Sequence, residues 1–218
     1  MGEKRQTSDT YLTIQALQRM PYYLQYLKAA REEGRSDVSA AAIAAELKLN
    51  DVLVRKDISA VSSVHGRPKA GFHVDTLIHD IENYMGCNNV KEAVLVGAGS
   101  LGKALLRNRE FEVYGFRIVA AFDIKRSLFH KKIDGIEVYS VNRLGAYCRE
   151  NRIPIGIITV PTESAQEVAD ALVEGGIRAI WNFALLKLDV PEEVLVQNED
   201  LACSLAMLSQ HLTLESED

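Results

Sequence analysis

Three glycines and one aspartate carry the clearest chemical signal in this chain. The segment Glu92-Ala93-Val94-Leu95-Val96-Gly97-Ala98-Gly99-Ser100-Leu101-Gly102 reads as an apolar strand entering a G-x-G-x-x-G turn and a helix. In that pattern Gly97 allows a tight turn, Gly99 lets the backbone approach a pyrophosphate, and Gly102 lets the helix pack closely on the strand. Ala98 and Leu101 complete the loop. The helix starting near Ser100 points its free N–H groups and positive dipole end at the phosphates. A second apolar strand at 118–122 ends in Asp123, followed by Ile124. An acid at that strand tip, about 20 residues beyond the glycines, accepts hydrogen bonds from the ribose hydroxyls of a dinucleotide. Its charge repels a 2′-phosphate and so favours NAD(H) over NADP(H). Lys125 and Arg126 weaken that preference. The expected ligands are NADH and NAD⁺.

A second set of residues suits nucleic acid. Ser39 and Asn50 are of the type that caps helices, and the turn between the helices they start gives the size of a helix-turn-helix. In the second helix Val54, Ile58 and Val61 face the core, leaving Arg55, Lys56 and Ser59 towards solvent. Arg55 can make two parallel hydrogen bonds to a guanine edge, and Lys56 can reach a base or phosphate. Arg67 and Lys69 lie in a Gly/Pro-rich loop, where a wing would touch phosphates or the minor groove. The same pattern would also fit a plain helical bundle with one charged face.

These groups need scaffolds to position them. In the first third, apolar residues recur at helical spacing from Leu12 to Leu27, with Pro21 predicting a kink or a new helix start. Another amphipathic helix is expected at 74–84, and a linker at 85–89. Beyond it, strands expected at 93–97, 117–123, 136–139, 154–160, 177–181 and 194–197 alternate with helices at 101–109, 141–151 and 163–175. That alternation predicts an α/β Rossmann-type doubly wound parallel sheet. A last helix at 200–213 carries Leu201, Leu205, Leu208 and Leu212 on one stripe. The expected division is 1–85 for the DNA-binding part, 86–198 for the nucleotide-binding part and 199–218 for the terminal helix.

Composition narrows the classes. The 218 residues are 47% apolar and 25% charged, ordinary for a globular protein. No apolar run is long enough for a membrane span, and the N-terminus lacks a signal-peptide core. Net charge is −5, yet residues 1–75 hold 11 Lys/Arg against 9 Asp/Glu while the remainder holds 14 against 21. Cys87, Cys148 and Cys203 are widely spaced, so neither a disulfide framework nor a zinc site is expected, and a reducing cytoplasm fits. An NAD-dependent dehydrogenase would place a proton donor by the nicotinamide. None of His65, His73, His79, His130 and His211 follows a late strand end. No catalytic residue and no metal ligand is therefore assigned.

Nearly the whole chain, from about Tyr11 to Leu212, resembles the Rex family of bacterial redox-sensing transcriptional repressors. The carrying segments are Val54-Arg55-Lys56-Asp57-Ile58-Ser59, the glycine loop, and Gly115-Phe116-Arg117-Ile118-Val119-Ala120-Ala121-Phe122-Asp123. Further matches are Thr159-Val160-Pro161 with 165–170, then Gly176-Ile177 and Trp181-Asn182-Phe183-Ala184. The resemblance implies an N-terminal winged helix and a homodimer whose two winged helices read an inverted-repeat operator in double-stranded DNA. It implies release by NADH and a C-terminal helix swapped across the dimer. It places Val160, Pro161 and Phe183 near the nicotinamide, and pairs Arg19 with Asp200 of the other protomer. The chain departs from the family pattern at Leu53, at Ala60-Val61, in the loop Gly66-Arg67-Pro68-Lys69-Ala70-Gly71-Phe72, at Leu185-Leu186 and at Lys125. Operator sequence and nucleotide affinity are where those departures would tell.

Overall fold

The computed structural model describes residues 12–64, 66, 71–200, and 202, 203, 205, 206 and 209. It divides into two compact units, Met1–Asn89 and Val90–Asp218.

The first unit is helical. Its elements are α1 (Ile14–Glu32), β1 (Asp37–Val38), α2 (Ala40–Glu46), α3 (Asp51–Val61), β2 (Phe72–His73) and α4 (Val74–Met85). α1 runs through Pro21 as one helix, so no new helix starts there. A proline forfeits one backbone hydrogen bond, but Met20, Tyr23, Leu24 and Leu27 on either side of it are buried in the unit's core. Tertiary packing thus outweighs the local penalty. Ile43 from α2, Val54 and Ile58 from α3, and Leu77, Ile78 and Ile81 from α4 complete that core. β1 and β2 pair antiparallel, Val38 opposite Phe72, and tie the chain after the loop back to the start of α2. Sequence periodicity does not reveal strands of two residues.

The second unit is a seven-stranded sheet in the order β5-β6-β4-β3-β7-β8-β9. The strands are β3 (Lys91–Val96), β4 (Phe116–Asp123), β5 (Lys132–Ile133), β6 (Ile136–Ser140), β7 (Ile155–Ile158), β8 (Ala179–Asn182) and β9 (Leu195–Asn198). All neighbours run parallel except β5 and β6. Helices α5 (Ser100–Leu106), α6 (Glu110–Val113), α7 (Leu144–Asn151) and α8 (Thr162–Glu174) connect the strands. The apolar run of β3 has a clear physical cause. Val94 and Val96 join one buried cluster with Leu144, Ile158 and Leu172, whereas Ala93 and Leu95 join another with Val138 and Ile157. A strand buried on both faces needs apolar residues at every position. The chain leaves β3 for β4 and β6 on one side, then crosses to β7 on the other. Open α/β sheets bind ligands at such a switch point, beyond the carboxyl ends of the strands.

Of the terminal helix, residues 202, 203, 205, 206 and 209 are helical, and Asp200 accepts a hydrogen bond from the Cys203 amide at 2.7 Å. Leu205 is exposed. Leu201, Leu208 and Leu212 lie outside the described residues.

Candidate nucleotide cleft and nucleic-acid interface

A cleft of about 660 Å³ opens at the switch point. It is lined at the β3 end by Gly97 and Gly99, at the β4 end by Asp123 and Ile124, and at the β7 end by Val160 and Pro161. The volume falls in the range of small-molecule and cofactor sites.

The glycine turn is held by its neighbours. Gly97 has φ +102° and its amide donates to the Phe122 carbonyl at 2.8 Å. The Thr159 hydroxyl donates towards the carbonyls of Gly97 at 2.7 Å and Val96 at 3.0 Å. A Cβ on Gly102 would stand 2.0 Å from the Gly97 carbonyl oxygen, so only glycine fits. A Cβ on Gly99 would meet nothing within 4 Å. Gly102 is therefore demanded by the fold itself. Gly99 is not, and the space at its Cα is where a phosphate approaches in this motif.

Asp123 is buried, and both its carboxylate oxygens accept backbone hydrogen bonds. Ala98 N–H lies 2.8 Å from Oδ2, and Lys125 N–H lies 2.8 Å from Oδ1. The acid thus fixes the glycine loop as well as lining the cleft, and its oxygens retain lone pairs for a further donor. Ile124 is largely exposed, and both it and Lys125 line the cleft.

Not every expected contact lines this cleft. Ala98 is buried in the turn, whereas Ser100, Leu101 and the buried Gly102 belong to α5. Phe183 packs on Trp181, ring centroids 4.6 Å apart, and does not line the cleft. Sequence reasoning missed Thr159 as a support and Asn142, Arg149 and Ser164 as lining residues. A threonine at the strand end just before Val160-Pro161 was the available signal for the first.

In the first unit the two helix caps form as expected. Ser39 Oγ accepts from Ala42 N at 3.1 Å, and Asn50 Oδ1 accepts from Val52 N and Leu53 N. Arg55, Lys56 and Ser59 are exposed on α3, while Val54, Ile58 and Val61 are buried. The Arg55 guanidinium is held by Asp51 at 2.8 Å. Asp80, buried on α4, accepts from both the amide (2.7 Å) and the hydroxyl (2.9 Å) of Ser63, anchoring the chain that leaves α3. Arg67 and Lys69 lie outside the described residues, as does His65.

Arg19 is paired inside its own unit. Its Nε and Nη2 donate to Asp57 at 2.7 and 3.1 Å, and the Tyr23 hydroxyl donates to the same carboxylate at 2.8 Å. Hydrogen bonding to Asp57 raises the Arg19 pKa. Burial, then the bond to Asp57, pushes the Tyr23 hydroxyl up to about 12.

No group of His, Cys, Asp and Glu suited to a metal ion occurs among the described residues, and no described helix is long and apolar enough to cross a membrane.

Fold and cleft together define a class: a dinucleotide-type Rossmann unit following a small helical unit with a two-stranded ribbon. Comparison with known proteins makes the class specific. Residues 88–186 match the family model "CoA binding domain", and residues 14–59 match "Putative DNA-binding protein N-terminus". The redox-sensing transcriptional repressor Rex of Treponema denticola is 41% identical over 88% of this chain and 91% of its own. The protein of that name from Bacteroides fragilis is 38% identical over 90% and 89%. A crystal structure of RSP in complex with β-NAD⁺ and operator DNA superposes with a TM-score of 0.87 at 31% identity, covering 95% of both chains. RSP in complex with β-NADH gives 0.80 at 30% identity, covering 95% of this chain and 97% of that one. The chain belongs to the Rex family of redox-sensing transcriptional repressors.

Proposed function

We propose that this protein is a DNA-binding transcriptional repressor that senses the NADH/NAD⁺ ratio. NADH bound in the β3–β4–β7 cleft releases a homodimer from an inverted-repeat operator. The observation that carries this reading is the coexistence in one chain of two things. One is the cleft, with the open space at Gly99 and the fixed carboxylate of Asp123. The other is a capped helix α3 presenting Arg55, Lys56 and Ser59. The cleft residues fit NAD(H): Gly97 and Gly99 for the pyrophosphate, Asp123 for the ribose, Ile124 for an apolar face, Val160 and Pro161 towards the nicotinamide. Phe183, which follows β8 and packs on Trp181, is assigned to the same end.

The Rex relatives carry the name of transcriptional repressors, which favours a regulator over a hydride-transfer enzyme. In the DNA-binding part, Arg55 and Lys56 address bases, while Ser59, Asn50 and Ser39 reach bases or phosphates. Arg67 and Lys69 extend this from the loop. The terminal helix after Asp200 serves dimerisation. The Arg19 guanidinium retains donors beyond those given to Asp57, so Asp200 of a second copy can join it. Coupling requires NADH to bind the DNA-free arrangement more tightly than the DNA-bound one, and roughly 5–150-fold is ordinary for allostery.

The test is a fluorescence-anisotropy titration at fixed salt. Its probe is an inverted-repeat duplex selected from a random pool, with NADH, NAD⁺ and NADPH added in turn. Release by NADH, with NAD⁺ weak or opposite, supports the reading. Arg55→Ala abolishes operator binding and leaves NADH binding intact, whereas Asp123→Ala weakens NAD(H) binding. Binding of selected DNA that ignores all three nucleotides would refute the sensing role.

A further inference from the structure

The recognition helix α3 shows solvent a side chain that packing does not explain. Val52, its second residue, is 72% exposed, more than any other large apolar residue described in the first unit. It lies three and four positions before Arg55 and Lys56, so all three share one helix face. Its amide is used by the Asn50 cap, but its side chain belongs neither to the buried cluster nor to the partly buried residues packed against it. A β-branched residue there is also a poorer helix former than alanine. The side chain therefore costs the free protein something and gives its fold nothing.

A helix that enters the major groove contacts base edges with its N-terminal residues. The only apolar group on those edges is the C5-methyl of thymine. We propose that Val52 is a specificity-determining residue that reads a thymine methyl in each half-site, beside the base contact of Arg55. This rests on the reading of α3 as the recognition helix. Asp51 supports the geometry, because its carboxylate holds the Arg55 guanidinium one turn along the same helix. Val52 then discriminates thymine from cytosine without any hydrogen bond, while Arg55 supplies the directional contact.

The experiment uses the full-length protein and the selected operator. Each thymine of the half-site is replaced in turn, symmetrically, by deoxyuridine, which removes only the methyl group. Burying one methyl is worth about a fourfold change in affinity per half-site. One replacement should weaken wild-type binding by about that factor per half-site, and Val52→Ala should bind the methylated and demethylated duplexes equally. Val52→Ala lies on an exposed helix position, so the variant folds, and retained release by NADH checks that it has. Insensitivity of the wild type to every replacement would overturn the proposal. So would a Val52→Ala protein that keeps the full penalty. Those outcomes leave the repressor reading intact if Arg55→Ala still loses the operator. If Arg55→Ala binds like the wild type, the recognition-helix reading fails, and this inference with it.

Discussion

Arg19 and Asp57 meet through two parallel hydrogen bonds, 2.7 and 3.1 Å long, although 38 residues separate them. The pair links α1 to the buried side of α3, and Asp57 is almost fully buried. Its position along α3 lies between Lys56 and Ser59, so the ion pair fixes the rotation of the face that carries Arg55 and Lys56. Asp57→Ala leaves the partly exposed Arg19 guanidinium able to rehydrate but strands the buried Tyr23 hydroxyl, so urea unfolding should show a loss of about 1–3 kcal/mol. Tyr23→Phe, which removes one neutral donor, should cost about 1 kcal/mol. Equal small losses in both variants would show that the carboxylate is not an anchor.

Gly99 and Gly102 separate ligand binding from folding. Gly99→Ala places its Cβ in open space, and the native φ suits alanine. The variant should melt like the wild type without nucleotide, yet bind NADH about tenfold or more weakly, since a methyl blocks the pyrophosphate. Gly102→Ala forces a Cβ against the Gly97 carbonyl, and overpacking of that kind costs about 1–3 kcal/mol. Calorimetric melting with and without NADH distinguishes the two. A Gly99→Ala protein with unchanged NADH affinity would remove the phosphate assignment.

Much of this arrangement was legible because local pattern and tertiary role coincide. β3 is apolar at every inner position since both of its faces are buried, and Asp123 ends the neighbouring strand at the same end of the sheet. The β5–β6 hairpin was missed although its loop is Asp134-Gly135, both at positive φ. That dipeptide is a strong hairpin signal, but β5 is only two residues long and gives no alternation to support it. The Arg19–Asp57 pair was not legible for another reason: a buried carboxylate on a charged helix looks like its exposed neighbours until the fold is known. Val52 was overlooked because in that helix only the core positions Val54, Ile58 and Val61 and the polar Arg55, Lys56 and Ser59 were given a role.

Asn182 is fully buried at the end of β8 and serves as a junction. Its Nδ2 faces the carbonyls of Ala184 and Leu186 and Oδ1 of Asn198, and its Oδ1 accepts from the Ala184 amide. Asn182→Asp would replace the donor with a charged acceptor opposite three oxygens. An unsatisfied buried polar group costs about 1–3 kcal/mol, and a charged one more. The loss should exceed about 3 kcal/mol near neutral pH and shrink when the new acid is protonated. A stable variant with no such pH dependence would mean that the junction relaxes freely.

Cys148 supplies a test at alkaline pH. Its thiol is buried in α7 among the residues packed on the sheet, and burial pushes it up from 9.0 to about 11. The folded value is raised, so the protonated thiol contributes stability that is fully present below about pH 9. That contribution is lost as pH rises through about 11. Tyr23, raised from 10.0 to about 12, acts with the same sign at slightly higher pH. Stability should therefore fall between pH 9 and 11, and less steeply in Cys148→Ala. Thiol modification at pH 8 should label exposed Cys203 rapidly and leave Cys148 protected until the protein is denatured. Rapid labelling of Cys148 in the native protein, or an identical alkaline slope in Cys148→Ala, would show that α7 opens locally and that its thiol is not the titrating group.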